Sequence, residues 1–255
     1  MKVLVEQNGP ITTVIINRAN IKNAVDPETA GLLLEAFQAF DQDEAQKVAV
    51  FAGAGGTFCA GYDLKAFGSS GEVKLDPEDE GAMGPSRMLL SKPVIAAVDG
   101  FAVAGGLELA LWCDMRVVDE NAVFGVFCRR WGVPLIDGGT VRLPRIVGQG
   151  RALDMILTGR PVEADEALLW GLANRIVPKG TALKAAQELA LEISRFPEMC
   201  MKADRFSAYR QADMDLMAAL RNEAREGDAP LRAGAQAGAQ RFASGKGRSG
   251  SFEDI

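Results

Sequence analysis

Twice in this chain an apolar strand signal runs into a turn of small residues and then into the start of a helix. The two segments are VAVFAGAGGTFCAGYDL, 48–64, and PVIAAVDGFAVAGGLELAL, 93–111. Glycine permits close approach of a ligand to backbone, and the first N–H groups of a helix have no internal partner. Each turn can therefore aim a donor at negative charge. Two such turns facing one another would form an oxyanion hole, and two turns that only pack helices onto a sheet would look the same in sequence. The glycines at 53, 55, 56 and 61 do not spell GxGxxG, so a dinucleotide fingerprint fits poorly.

The surrounding pattern alternates strands and helices, which predicts an α/β fold. Residues 2–7 and 11–17 flank Asn8-Gly9-Pro10 and read as a hairpin. Asp26-Pro27 caps a helix through about Asp43, with Leu32, Leu33, Ala36, Phe37 and Phe40 on one stripe. The stretch 68–84 has no core-forming period and reads as a mobile surface loop. Beyond residue 150 the pattern is helical, so we divide the chain into a core, 1–195, and a C-terminal helical region with its tail, 196–255.

What is missing is equally informative. There are no histidines, which excludes a Ser-His-Asp or Cys-His nucleophile and a histidine-ligated metal. The cysteines at 59, 113, 128 and 200 form no CxxC, so reduced thiols and no metal centre are expected. A net charge of −6 without a basic stripe argues against nucleic acid. No apolar run approaches the roughly 20 residues of a membrane span, so a cytoplasmic location is expected.

Glu108 is the one charge in the otherwise apolar AGGLELALW, 104–112, so its helix is expected to be buried and the carboxylate with it. Burial raises a carboxyl pKa toward neutrality, where it can accept and deliver protons. Gly105, three residues earlier, shares its face. The alternative is a carboxylate that complements the helix dipole or pairs with an arginine. A second chemical stretch is FGVFCRRWGVPLIDGG, 124–139, which offers Cys128, Arg129, Arg130 and Asp137.

These segments resemble the crotonase, or enoyl-CoA hydratase/isomerase, superfamily. The resemblance rests on INRANIKNAV (16–25), GTFCAGYDLKAF (56–67), KPVIAAVDGFAVAGGLELALWCDMRVV (92–118), GGTVRLPRIVG (138–148) and LTGRPVEADEALLWGLANRIVP (157–178). It implies a spiral of ββα units with a C-terminal helical region, assembly as trimers or hexamers, and acyl-CoA thioester substrates. CoA is then part of the substrate, and no separate cofactor is implied.

Carried over, the family's oxyanion-hole amides fall on Tyr62 and Gly105. Its first catalytic glutamate, which holds and activates water in hydratases, falls on Glu108. An ungapped match puts Cys128 where hydratases carry their second glutamate, and Leu135-Ile136-Asp137 replaces the usual Pro-Gly turn. Asp137 then either completes an acid/base pair with Glu108 or caps the helix that follows. Cys128 either fills the vacated volume or acts as a nucleophile with its pKa lowered by Arg129 or Arg130. The match places Ala60, Asp63 and Lys65 toward the CoA, and Lys246 or Arg248 in the tail could add a second cationic contact. The expected activity is addition or removal of water at the 2,3 position of an acyl-CoA. Single-carboxylate isomerisation or racemisation, acyl-CoA or carbon–carbon hydrolysis, and binding without turnover are the alternatives.

Overall fold

The computed structural model describes residues 1–66, 76–247, 249 and 252. The chain divides into two compact units, Met1–Leu191 and Glu192–Ile255.

In the first unit, β1 (Val3–Asn8) and β2 (Ile11–Ile16) form the expected hairpin, paired antiparallel. β3 (Val48–Gly53), β4 (Val94–Val98), β6 (Met115–Asp119) and β9 (Arg175–Val177) extend the sheet in the order β1-β2-β3-β4-β6-β9, each added strand parallel to its neighbour. A smaller sheet has the order β5-β7-β8, from β5 (Phe101–Val103), β7 (Val123–Gly125) and β8 (Val162–Glu163). β4 and β5 thus enter different sheets, and so do β6 and β7. β4 and β5 lead into α2 (Gly105–Trp112), and β6 and β7 lead through a 3-10 turn, Phe127–Trp131, toward α3 (Gly139–Val147). This is one ββα unit repeated.

The reasons are local. β4 is buried along its whole length and so reads as uninterrupted VIAAV, the pattern of a strand covered on both faces. The helix α1 (Pro27–Gln42) begins where Asp26 accepts a hydrogen bond from Thr29 N–H at 2.8 Å, with proline preset at its first turn. Its buried stripe meets β3 and α2 in an aromatic cluster: Phe37 lies 5.1 Å from Phe51 and 4.8 Å from Trp112, both edge-to-face. Burying one such side chain fully contributes roughly 2–3 kcal/mol, so this cluster anchors α2. The unit continues through α4 (Gln149–Thr158) and α5 (Ala164–Trp170) and ends within the last turn of α6 (Ala182–Ile193).

In the second unit, α7 (Glu198–Arg210) packs with α8 (Leu216–Ala243), which Asp215 caps by accepting from Ala218 N–H at 2.9 Å. No helix among the described residues is long and apolar enough to cross a membrane.

The expected mobile loop, 68–84, needs correcting at its end. Residues 67–75 lie outside the described residues, but Met83 is buried in the main core and Pro85 and Ser86 lie in a buried 3-10 turn. The sequence around Met83 hides this because a single apolar residue before Gly84-Pro85 sets up no period.

Candidate active site

The two turns come together. Cys59 N–H donates to Phe101 C=O at 2.9 Å, and Val103 N–H donates back to Cys59 C=O at 3.1 Å, lashing the first turn to the second. Only glycine fits at the contact. A Cβ on Gly106 would lie 2.1 Å from Cys59 C=O, and one on Gly61 would lie 3.0 Å from Gly105 N. Val25 N–H donates to Gly61 C=O and accepts at its own C=O from Asp63 N–H, both at 2.8 Å, so the Tyr62 N–H faces the opposite side. Gly105 opens α2, where its N–H has no intrahelical acceptor. Ala104 before it holds φ 54 and ψ −126, a conformation rare for a side chain bearing a Cβ. Among the described residues, neither the Tyr62 nor the Gly105 N–H has a protein acceptor.

Both residues line a cavity of about 130 Å³, together with Ala60, Met83, Glu108, Cys128 and Asp137. The rest of its lining is mainly apolar, including Leu64, Phe127, Trp131 and Ile136. Glu108 is 2% exposed, as expected. Its Oε1 accepts from Asp137 N–H at 2.8 Å and Gly139 N–H at 2.9 Å. It forms no ion pair among the described residues, and Oε2 has no protein donor there. Burial pushes its carboxyl from 4.5 up to about 7 against the pull of the Gly139 N–H, and the nearby charge of Asp137 adds to the rise.

That shift has a consequence for stability. The fold favours neutral Glu108, so the benefit is complete below pH 4.5 and is lost as pH rises through 7. The difference amounts to about 3 kcal/mol. Glu108→Gln cannot titrate, so the stability of the variant relative to wild type should grow by about that amount between roughly pH 4 and pH 8. Urea unfolding at the two pH values measures it, and an unchanged difference would contradict the raised value.

Asp137 does not cap the following helix. The N-cap of α3 is Gly138, at φ 96, with no side-chain cap. The Asp137 carboxylate instead turns to the segment ahead of β4. Its Oδ1 accepts from Met83 N–H at 2.9 Å and from the Ser86 hydroxyl. It is 2% exposed, and Oδ2 has no protein donor among the described residues. The N–H of this same residue holds Glu108, so the two carboxyls share one turn.

Cys128 also reaches the cavity, but its thiol is pushed up by burial and by the charge of Glu108. Its arginine neighbours are occupied elsewhere. Arg129 donates to Ile156 C=O at 3.0 Å, and the Arg130 guanidinium stacks 4.5 Å from the Phe127 ring centre. Of the two readings of Cys128, burial therefore favours the packed, protonated thiol over the thiolate. Cys128→Ala should cost about 1 kcal/mol of stability, or slightly more, and leave most activity. A loss of activity beyond tenfold would return Cys128 to the chemistry.

The remaining candidates are dispersed. Ala60 lines the cavity, whereas Asp63 and Lys65 do not. Asp63 pairs with Arg18 at 3.3 Å through Oδ2, and its Oδ1 accepts from Lys65 N–H at 3.1 Å. The Lys65 side chain is exposed, as is that of Lys246 in the second unit. Arg248 lies outside the described residues. Residues that sequence reasoning missed are Met83 and Ser86, and the only signal for them is the Gly84-Pro85 turn dipeptide.

Comparison with known proteins identifies the family. The model of the family described as enoyl-CoA hydratase/isomerase matches residues 6–248. Enoyl-CoA hydratase EchA19 of Mycobacterium tuberculosis is 39% identical over 207 residues, 78% of this chain and 77% of that protein. Carnitinyl-CoA dehydratase of Salmonella typhi is 39% identical over 189 residues, 73% of this chain and 72% of that one. Among solved structures, enoyl-CoA hydratase EchA1 of Mycobacterium marinum superposes with a TM-score of 0.89 at 33% identity, covering 95% of this chain and 96% of its own.

Proposed function

The chain belongs to the enoyl-CoA hydratase/isomerase family, and from that premise we propose that it hydrates 2-enoyl-CoA thioesters with Glu108 and Asp137 as its two proton-carrying groups. One observation carries the reading. In one cavity, two unclaimed amide donors stand with two buried carboxyls, each held through one oxygen and free at the other.

Hydration needs two proton transfers: one from water as its oxygen bonds to C3, and one to C2. A carboxyl with a single free oxygen performs one of them at a time. Glu108, raised to about 7, is protonated in roughly half of the molecules at neutral pH, and that form is the acid. In the forward reaction Asp137 takes the proton from water at Oδ2, and the hydroxide oxygen bonds to C3. The π electrons move onto the thioester carbonyl as an enolate, and the Tyr62 and Gly105 N–H groups bind its oxygen. C2 then takes the proton from Glu108. A proton returned from Asp137 to Glu108 resets the site. Each amide donor is worth roughly 3–4 kcal/mol in the transition state, because the cavity lining is mainly apolar and the donors are already aimed.

The apolar lining suits an uncharged acyl group near the carboxyls. Ala60, the surface cations Lys65 and Lys246, Arg248, and assembly as a trimer or hexamer belong to the same proposal and rest on the family resemblance. Incubation with crotonyl-CoA tests the reading: a product heavier by one water supports it, while free CoA would point to hydrolysis and an unchanged mass would reject hydration.

A further inference from the structure

Asp137 is held by a segment with no part in the scheme above. The Ser86 hydroxyl is fully buried and donates to Asp137 Oδ1, the oxygen that also takes the Met83 N–H at 2.9 Å. Arg142 braces both ends of this contact, donating to Ser86 C=O at 2.7 Å and Asp137 C=O at 3.1 Å. Arg87 adds a bond to Ile136 C=O at 3.3 Å. The arrangement mirrors that of Glu108, whose Oε1 is pinned by two N–H groups. Two donors on one oxygen fix the plane of the carboxylate and leave the other oxygen for the reaction. Backbone supplies both donors for Glu108, but a side chain supplies one of those for Asp137.

We propose that Ser86 is a positioning residue: its hydroxyl fixes the Asp137 carboxylate so that Oδ2, and not Oδ1, meets the substrate. This rests on the reading of Asp137 as the second proton-carrying group. Met83 ties the same segment to the oxyanion hole, since a Cβ on Gly105 would lie 2.6 Å from the Met83 Sδ. Asp137 therefore links the wall over one amide donor to the turn that holds Glu108.

The test is a double-mutant cycle on crotonyl-CoA hydration. Ser86→Ala should lower kcat by roughly 10- to 100-fold, the effect of one lost hydrogen bond to a charged group, with KM changed less than about threefold. Ser86→Thr, which keeps the hydroxyl, should restore kcat to within a few-fold. In the Asp137→Asn background, Ser86→Ala should change kcat by less than about twofold. Should Ser86→Ala fail to fold, the nearly isosteric Ser86→Cys carries the same expectation, its S–H being a weak donor. A slow Asp137→Asn beside a fast Ser86→Ala would overturn this assignment alone. Equal losses from Ser86→Ala in both backgrounds would overturn it too, by showing that Ser86 acts elsewhere. A wild-type rate in Asp137→Asn would overturn the role of Asp137 and this assignment with it.

Discussion

Glu108→Gln should slow turnover by about 10²- to 10⁴-fold while acyl-CoA affinity stays within a few-fold. The substitution is chemically narrow. The glutamine amide oxygen can still accept the Asp137 and Gly139 N–H bonds that hold Oε1, so the turn before α3 keeps its shape. What changes is Oε2, which becomes an NH₂ group and cannot release a proton to carbon. On the proposed reading, binding rests on the apolar lining and the amide donors, which the substitution leaves alone. On the proposed mechanism hydration needs protonated Glu108, so kcat/KM should fall as pH rises through about 7. A variant near the wild-type rate, or a wild-type rate flat from pH 5 to 9, would remove Glu108 from the chemistry.

Asp137→Asn should cost roughly 10²-fold or more in kcat, again without loss of fold. Asparagine oriented with its oxygen toward Met83 and Ser86 accepts both existing hydrogen bonds. Its NH₂ then occupies the place of Oδ2, where it can donate to water but cannot take its proton. Matching unfolding midpoints alongside a collapsed kcat would separate proton transfer from scaffolding. A small kcat effect with lower stability would show that Asp137 only braces the Met83–Ser86 wall.

Much of this site was legible in the sequence because it is built from local signals. The two glycine turns announce Tyr62 and Gly105, and a lone carboxylate in an apolar helix announces the burial of Glu108. β3 and β4 stand where their apolar runs are. The partners of Asp137 were not legible. They lie 54 and 51 residues away in sequence, and a serine and a main-chain N–H carry no periodicity. From the local sequence Asp137 reads equally as a helix cap, and it takes the tertiary contact to turn its carboxylate away from α3. Cys128 shows the same limit. Two adjacent arginines suggest a thiolate, yet one reaches Ile156 C=O and the other stacks on Phe127, leaving burial to decide.

The claim that both carboxyls move protons during hydration is tested most directly by isotopes. Crotonyl-CoA is incubated with the protein in deuterated, ¹⁸O-enriched water, and the thioester product is read by mass spectrometry. The account predicts one ¹⁸O at C3 and one carbon-bound deuterium at C2 in the same molecule, formed at a rate that Glu108→Gln and Asp137→Asn each cut by about 10²-fold or more. Deuterium at carbon without ¹⁸O, or ¹⁸O only in a released carboxylate, would contradict it.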